Sequence, residues 1–215
     1  MKRDSSKALR LALPAVLAAL SLLVAVSPAG AAGPAHVLGS EHARATIASF
    51  HVPTLPLPVR VRELPCPGDP TAQGCHISSR RMDTIWLNPE SGGLDSETLA
   101  HEMGHVFESY MWDLRWRRAA GSAFVPKTFH RIATVLFEAP PPGILYSTAW
   151  SERFAESYSA CARFPSLPET LSTGYWGFEM TPADHARICP LIHRMATRFE
   201  AATAGDPSVQ SAQAL

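Results

Sequence analysis

The stretch His101-Glu102-Met103-Gly104-His105 sets two histidines four residues apart, with a glutamate directly after the first. On an α-helix that spacing displaces two side chains by about 40° around the axis and about 6 Å along it, so both imidazoles project from one face. Two imidazoles so placed can grip one metal ion, and neutral imidazole nitrogen at about 2.0–2.1 Å suits Zn²⁺. Glu102 stands within reach of a water on that ion without binding the ion itself, which is the position of a general base. The competing structural reading is an ordinary amphipathic helix with solvated or hydrogen-bonded histidines. Context argues against it: Leu99, Met103 and Val106 supply apolar neighbours on the same helix.

Working outward, Pro89 and Ser91-Gly92-Gly93 end a β-rich run, Asp83-Thr84-Ile85-Trp86-Leu87-Asn88, and Asp95 or Ser96 can cap a helix that carries the histidines to about Trp112. Upstream, Val59-Arg60-Val61-Arg62-Glu63-Leu64 alternates apolar and charged residues as a half-buried strand does. Ser40 to Phe50 suits a short helix, and His51 to Pro58 is a proline-broken connector. Downstream, a helix is expected from near Pro126, with Phe129, Ile132, Val135, Leu136 and Phe137 on its apolar positions. Another is expected from about Ser151 to Arg163, and a last one from Thr181-Pro182 with Ile188, Leu191, Ile192, Met195 and Phe199 on one face. The fold class is α+β: a small, mainly antiparallel sheet packed on the histidine helix, with further C-terminal helices.

The ends read differently from the middle. Lys2, Arg3, Lys7 and Arg10 precede an apolar run from Leu11 to Val26, and Ala29-Gly30-Ala31 offers small side chains to a signal peptidase. Residues 1–31 are therefore read as a signal peptide, 32–200 as one domain and 201–215 as a disordered tail. An uncleaved membrane anchor is the rival reading of the N-terminus. Cleavage would leave 15 basic and 18 acidic residues, a balance that gives no reason to expect nucleic acid as a partner. It would also deliver the four cysteines to an oxidising compartment, where pairing is the default. The preferred pairs are Cys66 with Cys75 and Cys161 with Cys189. A Cys-rich zinc site is disfavoured because no C-x-x-C spacing occurs.

A catalytic zinc site needs a third protein ligand and leaves one position open. The metzincin pattern would require glycine at position 108 and histidine at 111; Glu108 and Met111 exclude it. The remaining candidates are Glu108, His130, Glu138, Glu152, Glu156 and His185. The most suggestive segment is Trp150-Ser151-Glu152-Arg153-Phe154-Ala155-Glu156-Ser157-Tyr158, whose two acids, four apart, share a helix face. One can bind the metal while the other accepts a hydrogen bond from a ligating imidazole and fixes its tautomer.

H-E-M-G-H followed by E-R-F-A-E resembles the gluzincin metallopeptidases, most closely the catalytic domain of anthrax lethal factor and its bacterial relatives. The resemblance covers roughly residues 84–160. It implies a zincin-like fold, one Zn²⁺, and hydrolysis of peptide bonds. It also implies His101, His105 and Glu152 as metal ligands, Glu102 as base, Glu156 as hydrogen-bond partner of a ligating histidine, and Tyr146 as a catalytic oxyanion donor. The strand Thr84 to Asn88 resembles the edge strand to which an extended substrate adds in that family. The expected activity is that of a secreted zinc peptidase acting on a peptide or protein substrate, with no stable membrane anchor after signal cleavage. An exported, non-catalytic zinc-binding or cell-surface interaction protein on the same scaffold is the alternative from another class; Glu102 speaks against it, because a pure binding site has no need of an acid beside the water.

Overall fold

Asp95 starts the central helix as the sequence requires. Its carboxylate accepts a 2.6 Å hydrogen bond from the Thr98 backbone N–H, satisfying one of the donors left over at a helix N-terminus. Helix α2 then runs from Ser96 to Trp112. The computed structural model describes residues 37–53, 58–79, 82–112, 146–173 and 178–203, the side chains of 112, 146–149 and 202–203 excepted. The expected helix from Pro126, residues 1–31 read as a signal peptide, and residues 204–215 fall outside these.

The described elements in chain order are β1 (Val37–Leu38), α1 (Glu41–Ala48), β2 (Val59–Arg62), β3 (Gly74–Ile77), β4 (Asp83–Leu87), a 3₁₀ turn (Pro89–Ser91), α2, α3 (Tyr146–Arg163), β5 (Leu171–Ser172), β6 (Glu179–Met180) and α4 (Pro182–Thr203). The α+β class holds. Two boundaries move: α3 begins at Tyr146 rather than near Ser151, and α4 continues through residues 201–203, where the tail was expected to start.

The sheet corrects the expectation of a mainly antiparallel arrangement. Its order is β1-β2-β4-β3, with β1 parallel to β2, β2 parallel to β4, and β3 alone antiparallel to β4. Helix α1 lies in the connection that returns β2 beside β1 in the same direction, and β3 reverses the chain once so that β4 can slot in next to β2. Alternation such as that of Val59 and Val61, buried, against the exposed Arg62 reports which face is covered; it carries no information on strand direction. For the same reason β4 is an interior strand and not the edge that Thr84 to Asn88 resembles. The edge on the β4 side is β3, Gly74-Cys75-His76-Ile77, whose composition shows no strand pattern and which sequence reading leaves in a loop.

One core joins sheet and helices. Val59, Val61, Ile85 and Leu87 from the sheet meet Leu99, Met103 and Phe107 from α2 and Phe154 and Tyr158 from α3. Phe107 is its hub, with ring centroids 6.0 Å from Phe154, 5.6 Å from Tyr158 and 5.9 Å from Phe199. Aromatic pairs at such distances add about 0.5–1.5 kcal/mol each beyond the area they bury, so this cluster pins α2, α3 and α4 together. The half-buried Trp150 packs against the same core. Both expected disulfides are present: Cys66–Cys75 ties the loop before β3, and Cys161–Cys189 joins α3 to α4.

Gly104 permits the closest approach of the two site helices. A Cβ built there would lie 2.6 Å from the Ala155 Cα and 3.1 Å from the Tyr158 Cβ, so any side chain would force α2 and α3 apart. Among the described residues, no helix is long and apolar enough to cross a membrane.

Candidate metal centre

Helix α2 delivers His101 and His105, and α3 delivers Glu152, to one point. The His101 Nε2 lies 3.1 Å from His105 Nε2 and 3.2 Å from Glu152 Oε2, and His105 Nε2 lies 3.6 Å from the same carboxylate oxygen. Tetrahedral bonds of about 2.0–2.1 Å place neighbouring ligand atoms about 3.3–3.4 Å apart, which is the spacing of this triangle. These three residues form a group able to hold a metal ion. The described residues contain a second such group, Cys161, His185 and Cys189, but its two sulfurs are joined to each other and His185 places Nε2 3.2 Å from the Phe164 carbonyl.

Each imidazole is held from behind. Glu156 Oε1 lies 3.0 Å from His101 Nδ1, which leaves Nε2 facing the centre. His105 Nδ1 lies 3.1 Å from Ser151 Oγ, which in turn donates to Glu108. Glu102 is buried, and its Oε2 has no hydrogen-bond partner among the described residues; Glu156 Oε2 is in the same condition. Unpaired buried carboxylate oxygens are costly, and here they flank the ligand triangle.

The electrostatics follow from this crowding. Burial opposes charge on His101, but the carboxylates of Glu152 and Glu156 outweigh it and hold the imidazole at about 9. Burial likewise opposes charge on His105, and Glu108 and Glu152 bring it to about 10. Glu152 is held at about 2, its burial overcome by hydrogen bonds to His101 and His105. Burial pushes Glu102 up from the ordinary carboxyl value, against the pull of both histidines and His76. The metal-free site thus retains protons where a cation would sit. Donor chemistry, spacing and charge all fit a divalent ion.

The centre opens on a cleft of about 410 Å³, with Glu102 and Glu152 beside the histidines and Gly74, Cys75 and His76 of β3 as the facing wall. Gly74 matters here, since a Cβ would come within 2.7 Å of Thr98 Cγ2 and 2.9 Å of Glu102 Oε1. His76 is fixed by a 2.6 Å contact between its Nε2 and the buried Asp83. Of the sequence candidates, Glu108 stands behind His105 rather than in the ligand triangle, and His185 belongs to the disulfide cluster. His130 and Glu138 lie outside the described residues, as does the side chain of Tyr146, which opens α3. Ser151, Gly74, His76 and Asp83 carry no motif and were not singled out from the sequence. Comparison with models of known families, with curated proteins and with solved structures finds no match for this chain.

Proposed function

We propose that this protein is an exported zinc-dependent hydrolase, most specifically a peptidase. What carries the reading is the convergence of His101 Nε2, His105 Nε2 and Glu152 Oε2, with separations of 3.1, 3.2 and 3.6 Å, beside a buried glutamate that is not a ligand. The apolar N-terminal run and the two disulfides are consistent with export. Imidazole and carboxylate donors suit zinc.

Bound zinc would polarise the scissile carbonyl and lower the pKa of a water toward about 7. Glu102, whose carboxyl burial pushes up from its ordinary value, accepts the proton of the attacking water and passes it to the leaving amine. His101 and His105 are kept in the required tautomer by Glu156 and Ser151. The outer edge of β3, next to Glu102, suits an extended peptide that adds as a further strand.

Purified mature chain is expected to hold about one equivalent of zinc, lost on chelation. Glu102→Gln is expected to keep the metal and lose peptide hydrolysis. A wild-type chain without metal would sink the reading. A Gln variant as fast as its parent would remove Glu102 from the mechanism, and a zinc-loaded wild type inert on peptides would favour the binding-protein alternative.

A further inference from the structure

We propose that Ser151 and Glu108 form a hydroxyl–carboxylate relay that positions His105 for metal binding, an inference that rests on the metal-centre reading above. His105 has two ring nitrogens, and Nε2 is turned toward Glu152 and His101. Its Nδ1 lies 3.1 Å from Ser151 Oγ. The Ser151 hydroxyl hydrogen goes to Glu108 Oε2, so the oxygen is left as an acceptor for Nδ1–H. Glu108 itself is 3.8 Å from that nitrogen, beyond hydrogen-bond range, so the hydroxyl is the necessary middle member.

When the ring gives up one proton to a metal ion, the arrangement keeps the remaining proton on Nδ1 and leaves the lone pair on Nε2. His101 reaches the same end with a direct carboxylate, Glu156 at 3.0 Å. The two ligating rings are therefore oriented by separate devices. Glu108 comes from α2, one turn beyond His105, while Ser151 comes from α3, adjacent to Glu152. The relay consequently sets the ring and links the two helices that supply ligands. The side chains of His105 and Glu108 are only 15% and 13% exposed, so water competes poorly for these bonds.

Zinc affinity, read by competition with a chromophoric chelator, tests this without any turnover. Ser151→Ala and Glu108→Gln are each expected to weaken zinc binding about 10-fold. Because both break one relay, the double variant is expected to be no weaker than the worse single one. Ser151→Thr, which keeps a hydroxyl, is expected to stay within a few-fold of wild type, roughly the context scatter of a single hydrogen bond. Wild-type affinity in Ser151→Ala, losses that multiply in the double variant, or a Thr variant as weak as Ala would each overturn the relay. A wild-type chain that binds no zinc overturns the metal centre as well, whereas a relay failure with intact wild-type binding leaves the centre standing.

Discussion

Replacing Gly104 by alanine sets two known effects against each other. In an isolated helix the change gains about 0.8–1.0 kcal/mol. Here the new Cβ would meet the Ala155 Cα at 2.6 Å, the Ala155 carbonyl oxygen at 3.0 Å and the Tyr158 Cβ at 3.1 Å, where ordinary contact begins at 3.4 Å. Since the first two are backbone atoms, no rotamer change relieves the clash, and α2 must retreat from α3 by about 0.8 Å. Overpacking of this kind costs about 1–3 kcal/mol, which matches the helical gain at its low end and exceeds it above that. The net loss is therefore up to about 2 kcal/mol, a fall in Tm of up to roughly 4–8 °C for a domain of this size.

The functional consequence is larger than the stability loss. Gly104 directly precedes His105, and Ala155 lies one turn beyond Glu152, so the helices separate at the ligand triangle. A shift of about 0.8 Å is roughly four times the tolerance of about 0.2 Å in metal–ligand distance. Zinc affinity is therefore expected to drop more than about 10-fold, comparable to loss of a supporting partner. Thermal unfolding in chelator, with zinc competition titration, measures both effects. A Gly104→Ala variant with raised Tm and wild-type zinc affinity would refute the idea that this contact sets the distance between the site helices.

Glu152→Ala is expected to abolish stable zinc binding, whereas Glu156→Ala should weaken it about 10- to 100-fold; metal analysis after dialysis ranks them, and the reverse order would make Glu156 the ligand. The chelated protein should lose stability as pH rises. His101 and His105 sit at about 9 and about 10 against an ordinary 6.5, so their contribution is complete below about 6.5 and disappears as pH climbs through 9 and 10. Zinc affinity should rise over the same range, because both rings must shed protons to bind. A Tm in chelator that does not fall between these limits, or a zinc affinity independent of pH, would contradict the proton-holding site.

Half of the centre was legible because helical periodicity is a local property. A 3.6-residue repeat sufficed to set His101 and His105 on one face of α2 with Glu102 directly after the first, and a capping pattern at Asp95 or Ser96 to mark where the helix starts. Glu152 and Glu156 were likewise legible as a pair four apart, though the assignment of ligand to one and imidazole support to the other came through resemblance. In the fold Glu152 lies 3.2 and 3.6 Å from the two Nε2 atoms and Glu156 lies 3.0 Å from Nδ1.

Sequence alone thus determined the residue types and their faces on the two helices, which depend on short-range spacing, and made two disulfides the expectation, with the pairing a preference among three connectivities that the fold then fixed. Tertiary structure decided what depends on residues far apart in the chain. It set Glu108 on the Nδ1 side of His105, linked to it through Ser151, 43 positions away from Glu108, and outside the group of His101, His105 and Glu152. It also placed β3 at the sheet edge against Glu102 and turned β2 and β4 parallel, since alternation records burial and leaves direction and order to the packing of the whole sheet.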